Sequence, residues 1–320
     1  MRVLISGASV AGPVLAYWLS RYGFTVTVVE RAPALRKAGG HAVDLFKPAM
    51  DIAEKMGVVE RIAAKKTGTD VLEVYREGRG RRYEIEVGRL MRAVSDRHVE
   101  IMRDDLAEIF YEAARDSVEY RFGDSITAIT EDAGGVDVAF EQGPSRRFDL
   151  VIGADGLHSN VRGLVFGPES RFATWIGAYL AVATVPNYLD LRDRMVVTCG
   201  VDRMAGVYSA AHMDDARAIF MFRPKHQLDY HYRDTAQQKT LLRSAFDGMG
   251  QRVSRVLDET DRAEVFYLDS ITQLRMDTWS RGRVSLVGDV PVTRALTNIT
   301  PRSVRLHDSV TVKDYPSSGV

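Results

Sequence analysis

The first candidate binding site in the sequence is a glycine-containing turn that follows the apolar run VLI (residues 3–5). Gly7, Ser9 and Gly12 fall at the spacing G-x-S-x-x-G, and Pro13 follows at a position suited to the first turn of a helix. In such a strand–turn–helix unit the first glycine permits a tight turn, the middle residue lets the backbone approach a pyrophosphate, and the last glycine lets helix and strand pack closely. Ser9 is small, and its hydroxyl can donate to a phosphate. The turn therefore predicts a dinucleotide site at a helix start.

An acidic residue at the end of the next predicted strand supports this interpretation. Glu30 closes the stretch FTVTVVE, 23 residues after Gly7, where an acid hydrogen-bonds the adenosine ribose hydroxyls. It would repel a 2′-phosphate, so the turn favours FAD or NAD over NADP. The alternative is a glycine-containing turn with no ligand. The strand before it, the amphipathic helix after it and the acid together favour the dinucleotide.

Composition excludes several other classes of function. Lys+Arg and Asp+Glu both number 43 in 320 residues, so the net charge is zero and no nucleic-acid or membrane partner is predicted. The one cysteine, Cys199, can form no internal disulfide and fits a reducing compartment. No signal-peptide pattern and no run of about 20 apolar residues occurs, so a cytoplasmic location is predicted. None of the histidines has zinc-motif spacing, and no metal is predicted.

Strand-like and helix-like segments alternate along the chain, which is typical of an α/β protein. Helices are predicted over residues 47–56 and 234–246, and a shorter one over residues 253–257. Residues 71–94 are predicted to be strand-like, with a turn at Gly78-Arg79-Gly80. Strands also dominate from Phe172 to Pro224.

Three further segments give the chain a family resemblance. They are EIMRDDL (residues 100–106), DLVIGADGLHSNVR (residues 149–162) and GRVSLVGD (residues 282–289). With the opening turn, in this order, the chain resembles the flavoprotein aromatic hydroxylases. These are the single-component FAD monooxygenases typified by para-hydroxybenzoate hydroxylase. The stretch GGHAVDL (residues 39–45) is similar to the tetracycline-inactivating branch. The resemblance covers residues 1–289.

The resemblance implies a fold and its division into domains. The fold class is α/β, with a doubly wound, Rossmann-like FAD-binding domain and an inserted strand-rich substrate domain. The FAD-binding domain is predicted over residues 1–70, 96–170 and 276–289, and the substrate domain over residues 71–95 and 171–275. Residues 290–320 are predicted to form an atypical, poorly ordered tail.

The resemblance also implies the residues that contact the cofactor. Arg103 matches an arginine that reaches the flavin from a helix start, Asp155-Gly156 a motif near both FAD and the nicotinamide cofactor, and Gly288-Asp289 a strand-end pair on the FAD hydroxyls. Arg162 would lie close to the Asp155-Gly156 motif. His158 is the one histidine considered as a functional residue, because it lies within the same motif. Each residue has an alternative, purely structural role. Arg103 would pair with Asp104 or Asp105, Asp155-Gly156 would form a simple turn, and Arg162 would be a solvated charge on a helix. The predicted cofactor-binding residues are Gly7, Ser9, Val10, Ala11, Gly12, Glu30, Arg31, Arg103, Asp155, Gly156, Gly288 and Asp289.

The implied reaction uses NADPH or NADH, O₂ and a small aromatic or polycyclic substrate. NAD(P)H reduces the flavin, O₂ adds at C4a, and the hydroperoxide transfers one oxygen to the substrate. No side chain is assigned a catalytic role, and substrate contacts are expected from residues 172–222 and 267–274. A monomer or a homodimer is expected. A flavin reductase or dehydrogenase of the same fold and a catalytically inactive remnant with weak ligand binding are the alternatives.

The sequence departs from the family pattern after Asp289. The family continues with a proline, a glycine-rich segment and a long helix, whereas residues 290–320 contain one glycine, Gly319, and three prolines. The departure suggests a shifted reading frame or a truncated gene. Because donors to the flavin would then be missing, we expect the chain to bind FAD weakly or to purify without it.

Overall fold

Strands and helices alternate along the chain, and the computed structural model describes residues 1–35, 39–231 and 234–288. The strands are β1 (Arg2–Ser6), β2 (Thr25–Glu30), β3 (Ala42–Leu45), β4 (Val71–Arg76), β5 (Arg82–Glu86), β6 (Val99–Met102), β7 (Glu119–Phe122), β8 (Ile126–Asp132), β9 (Gly135–Phe140), β10 (Arg146–Phe148), β11 (Leu150–Gly153), β12 (Ala173–Pro186), β13 (Arg194–Gly200), β14 (Arg203–Tyr208), β15 (Asp215–Phe222), β16 (Phe266–Leu274), β17 (Ser280–Arg281) and β18 (Val284–Leu286). The helices are α1 (Ala11–Arg21), α2 (Lys47–Lys55), α3 (Val59–Ala64), α4 (Val87–Val94), α5 (Arg103–Ala114), α6 (Asn160–Val165), α7 (Thr235–Ala245) and α8 (Gln251–Arg262). Asp289 and the predicted tail over residues 290–320 lie outside the described residues.

Six strands form a mainly parallel sheet in the order β17-β18-β11-β1-β2-β7. β1 pairs in parallel with β11 and with β2, and Val3, Leu4 and Ile5 in β1 are fully buried. A strand buried on both faces must be apolar throughout, which explains this uninterrupted run. β17 is antiparallel to β18 and ends the sheet.

Two different layers cover the faces of this sheet. On one face, Val3 and Ile5 pack in a cluster with Ala16 of α1 and Ala114 of α5. On the other face, Leu4 packs in a cluster with residues of α6 and of a three-stranded antiparallel sheet, β10-β9-β8. The predicted α/β fold is confirmed, with the antiparallel sheet forming much of the second layer.

A second large sheet has seven strands in the order β16-β12-β15-β14-β13-β4-β5. On one face Phe220, Phe222 and their neighbours pack against Leu242 and Phe246 at the α7 end and Val256 of α8. α8 is longer than the predicted helix over residues 253–257 because its apolar stripe extends to a buried Thr260. The strands of this sheet come from the segments of the predicted substrate domain, whose residue boundaries stay a prediction.

The strand-like pattern predicted for residues 71–94 is wrong beyond Glu86. β4 and β5 form a hairpin, but Val87–Val94 is helix α4. Its apolar residues Val87, Leu90 and Val94 recur at three and four residues, which is the period of a helix and not of a strand. Of the helices in the described ranges, none has both the length and the apolar character needed to cross a membrane.

Candidate active site

The glycine turn, Glu30 and the Asp155-Gly156 motif lie at one edge of the six-stranded sheet. Ser6 pairs with Val29 of β2 and with Gly153 of β11, and Gly153 pairs with Leu286 of β18. The segments that follow these parallel strands therefore leave the same carboxyl edge, where ligands bind in open α/β sheets. Gly288 follows β18 at this edge with φ +146°, and Asp289 lies outside the described residues.

The opening turn has the close backbone approach that its glycines predict. Gly7 has φ +107°, a conformation that disfavours residues with a Cβ, and its N–H donates to the carbonyl of Val29 at 2.8 Å. A Cβ on Gly12 would lie 1.9 Å from the carbonyl oxygen of Gly7. Gly12 is thus required by the packing of α1 against its own turn.

The first turn of α1 offers backbone donors without a protein partner for the helix end. Val10 is the N-cap, no side chain caps the helix, and its first turn contains no acidic residue. Ser9, Val10 and Ala11 are partly exposed at this end. A helix start of this kind favours phosphate because its N–H groups and dipole are both available.

Glu30 connects the turn to the end of β2. Its Oε2 accepts a hydrogen bond from the N–H of Ala8 at 2.9 Å, and its Oε1 accepts one from the N–H of Ala32 at 2.9 Å. Each oxygen keeps a further lone pair, so the carboxylate can still accept from ribose hydroxyls. Arg31 is exposed beside it.

Arg103 is the first residue of α5, and its backbone N–H donates to the carbonyl of His41 at 3.1 Å. Its guanidinium has no hydrogen-bond or ion-pair partner among the described residues. Asp104 instead accepts from the N–H of Gly40, and Asp105 pairs with Lys65 and His212. The alternative in which Arg103 pairs with Asp104 or Asp105 is therefore wrong.

Asp155 fixes the loop that follows β11. Its carboxylate accepts from Ser6 Oγ at 3.3 Å, from the Val161 N–H at 3.1 Å and from Ser159 Oγ. Gly156 is exposed with φ +78°. Most of the carboxylate's acceptor capacity serves the loop itself, and contact of Asp155 and Gly156 with a cofactor stays a prediction.

Arg162 is buried and not a solvated helix charge. Its side chain is 2% exposed, and Nη2 donates to Leu157 O and to Glu169 Oε2, each at 2.6 Å. Its Nε is buried without a partner. The residue holds the loop after β11 onto the 3₁₀ turn Glu169–Arg171.

His158 joins that loop to the seven-stranded sheet. Its Nδ1 lies 3.0 Å from Glu169 Oε1 and its Nε2 lies 2.9 Å from Asp269 Oδ2. Asp269 Oδ2 also accepts from Tyr267 Oη at 3.1 Å. The hydrogen bonds to Asp269 and then to Glu169 raise the pKa of His158 to about 10, so both ring nitrogens carry protons at neutral pH. Burial raises the pKa of the Tyr267 hydroxyl, as does the charge of Asp269.

The face of the seven-stranded sheet opposite α7 and α8 carries an apolar row that is only half-buried. Leu180, Met221, Met204 and Cys199 occupy directly paired positions on β12, β15, β14 and β13. Asp269 pairs with Leu180 and extends the row onto β16. Burial raises the pKa of the Cys199 thiol, which therefore stays protonated within this apolar row at neutral pH.

The same face contacts the start of β3 and the loop before it. Tyr208 Oη accepts from the Ala42 N–H at 2.8 Å, and Arg217 Nε donates to Gly40 O at 3.3 Å. Both side chains are buried, and burial raises the pKa of the Tyr208 hydroxyl. Sequence analysis did not single out Tyr208, Arg217 or Asp269, because no local motif marks them.

The donor set at the sheet edge fits FAD. It combines an uncapped helix start with a carboxylate that has free acceptor capacity, as a pyrophosphate and a ribose would require, and Arg103 at the start of α5 has no side-chain partner among the described residues. In the described ranges, no group of three His, Cys, Asp or Glu side chains is placed to hold a metal ion.

Comparison with known proteins agrees with this fit. The family model described as "FAD binding domain" matches residues 1–291. An uncharacterised protein of Mycobacterium tuberculosis is 44% identical over 290 residues, which are 90% of this chain and 77% of the relative. A flavin-dependent monooxygenase of Legionella longbeachae is 36% identical over 289 residues, which are 90% of this chain and 73% of that protein.

A solved structure shows the same fold. The crystal structure of the tetracycline destructase Tet(51) superposes with a TM-score of 0.79 at 35% identity, covering 90% of this chain and 74% of that one.

Proposed function

This chain belongs to the FAD-binding domain family, among the flavin-dependent monooxygenases, and on that premise we propose that it hydroxylates an aromatic or polycyclic small molecule. The electron donor is NADPH or NADH, and the oxygen comes from O₂. One oxygen atom enters the substrate, the other leaves as water, and NAD(P)H plus a proton supply the two electrons and two hydrogens. When bound, FAD supplies the redox chemistry that links these reactants.

The residues at the sheet edge hold the cofactor in this proposal. The turn at Gly7 and Gly12 with the start of α1 binds the pyrophosphate, Glu30 accepts from the ribose hydroxyls, and Arg103 extends its free guanidinium toward the flavin. Gly156 and Gly288 provide backbone that a cofactor can approach closely, because neither carries a side chain.

The half-buried row of Leu180, Met221 and Met204 is the observation that supports an apolar polycyclic substrate. An apolar face left uncovered by helices is a favourable surface for a flat hydrophobic ring system. Methionine adapts its shape to irregular ligands, so two methionines in adjacent strands suit ring systems of varied outline. A substrate ring system bound on this face would also exclude water from it, which protects an oxygen-transfer step from hydrolysis.

The hydrogen bond between His158 and Asp269 supports this arrangement, since it joins the loop after β11 to the strand that pairs with Leu180 of the apolar row. The single cysteine, Cys199, is consistent with the cytoplasmic location that the sequence predicts.

The test follows oxygen atoms and electrons together. The purified protein is supplied with excess FAD, then with NADPH or NADH, and with phenolic and polycyclic substrates under isotopically labelled O₂. We expect substrate-stimulated NAD(P)H oxidation and one labelled oxygen in the product by mass spectrometry. NAD(P)H oxidation that yields only hydrogen peroxide would overturn the proposal in favour of a reductase. Absence of flavin binding and of NAD(P)H oxidation in a cooperatively folded protein would favour the inactive remnant.

A pair of variants tests the substrate surface. Met221→Lys places a charge in the apolar row, and we expect KM to rise about tenfold or more with FAD affinity unchanged. Leu189→Lys places the same charge at a side chain that is already 41% exposed. An equal effect of both variants on KM would show that the row does not contact the substrate.

A further inference from the structure

At one edge of the seven-stranded sheet, β5 has no second strand paired with it among the described residues. β5 is the last strand in the order, and all five of its residues, Arg82–Glu86, are exposed. Alternate backbone N–H and C=O groups of an edge strand point away from its only neighbour, here β4. Such an edge is a template for pairing with another chain unless short length, charged side chains, prolines, bulges or a covering element protect it. β5 has no proline, and its charges are of both signs.

The side chains of β5 are divided between two faces. Tyr83 and Ile85 lie on one face and are 39% and 45% exposed. Arg82, Glu84 and Glu86 lie on the other, because successive residues of a strand alternate. Two large apolar side chains are thus partly exposed beside an unpaired backbone, and the Arg81 guanidinium lies 5.1 Å from the centroid of the Tyr83 ring.

The sequence of β5 is complementary to itself in an antiparallel register centred on Glu84. Arg82 then faces Glu86 of the second copy, and Tyr83 faces Ile85, so opposite charges and apolar side chains meet twice each. Glu84 faces its own counterpart, but Arg82 Nη2 lies 3.2 Å from its Oε1, and Arg194 Nη1 lies 3.6 Å from the same atom. A register centred on Ile85 would instead oppose Glu84 and Glu86.

The helix that follows β5 adds apolar surface at the same edge. α4 has no buried residue, and its Leu90 and Val94 are 56% and 42% exposed. A pair of five-residue strands alone falls short of the roughly 1,200 Å² that a stable interface needs, so this helix must contribute to a stable one.

We propose that two copies of this chain associate through β5, joining their seven-stranded sheets into one continuous antiparallel sheet about a two-fold axis at Glu84, with α4 completing the interface. The partner is therefore a second copy of the same chain. Each copy's apolar row stays within its own sheet.

Charge reversal tests the register directly. Arg82→Glu opposes Glu86 with a like charge twice, and Glu86→Arg does the same with Arg82. We expect each single variant to weaken dimerisation about tenfold in sedimentation equilibrium, and the double variant R82E/E86R to dimerise more tightly than either single variant but less tightly than wild type, because Glu84 loses its Arg82 partner. Thermal melts of the variants establish that each is folded.

Hydrogen exchange on the wild-type protein gives a second measurement. We expect the outward amides of β5 to be protected at concentrations where the protein is dimeric and to exchange on dilution. A wild-type protein that remains monomeric at tens of micromolar would overturn the proposal, including a monomer whose β5 is protected because another part of the chain covers it. Single swaps that leave the dimer intact would equally overturn it.

Discussion

The imidazolium of His158, which hydrogen-bonds two carboxylates, predicts how the free energy of unfolding depends on pH. Its folded-state pKa of about 10 lies above the ordinary value of 6.5, because Asp269 and Glu169 both accept hydrogen bonds from its ring. A group with a raised pKa stabilises the fold fully below its unfolded pKa and loses that contribution as pH rises to the folded one. The stabilisation by His158 is therefore complete below about pH 6.5, declines above it and is lost above about pH 10.

The magnitude follows from the shift and from the exposure of the ring. A shift of this size corresponds to at most about 5 kcal/mol if none of it were screened. The His158 side chain is 60% exposed, so solvent screening reduces the contribution severely. We expect His158→Gln to lower the free energy of unfolding by about 1–2 kcal/mol near pH 6 and by only a few tenths near pH 10.5.

The assay is urea unfolding of both proteins across this pH range, with the exposed His226→Gln as the matched control. Because the titration of other groups is common to wild type and variant, the difference in free energy isolates His158. A difference that is the same near pH 6 and near pH 10.5 would refute the charged His158 bridge. So would a loss of similar size in His226→Gln.

Three further outcomes follow from the geometry of the turn, the cofactor edge and the core. Gly12→Ala should cost about 3 kcal/mol in urea unfolding because its Cβ meets a backbone oxygen, whereas Gly163→Ala, with open space around it in α6, should be neutral or slightly stabilising. Arg103→Gln should weaken FAD binding about tenfold in a fluorescence titration without lowering Tm. A Tm several degrees below that of the wild type would contradict an Arg103 guanidinium that has no partner among the described residues. Phe220→Ala should destabilise by about 3–5 kcal/mol, since Phe220 is fully buried between the sheet and its helices, and a loss below about 1 kcal/mol would be inconsistent with that packing.

The sequence predicts those parts of the site whose contacts are local or lie at a shared sheet edge. Gly7, Gly12 and Glu30 belong to one strand–helix–strand unit, and Glu30 bonds Ala8 and Ala32 within it. The unit accepts few residue types at these positions, so the spacing together with the strand and helix patterns around it predicts them. The parallel strands then carry Gly156 and Gly288 to the same edge.

Contacts between distant segments leave no comparable signal. His158 and Asp269 are 111 residues apart, and Arg217 and Gly40 are 177 apart. Histidine, arginine and aspartate are most often solvated surface residues, so their pairing depends on how the two sheets meet. The helix α4 differs for another reason: the prediction extended the strand pattern of residues 71–86 over residues 87–94, where the apolar spacing of three and four residues is that of a helix.

Hydrogen bonds at Tyr208 and Arg217 join the seven-stranded sheet to Ala42 at the start of β3 and to Gly40 in the loop before it. A ring system bound on the apolar row would lie on the same face as these two side chains, which hydrogen-bond the main chain at Ala42 and Gly40. If binding of the ring system changes these hydrogen bonds and thereby the affinity for the dinucleotide, then binding of the dinucleotide must change the affinity for the ring system by the same factor. Conservative changes at Tyr208 or Arg217 would then loosen this reciprocity while leaving each site intact by itself.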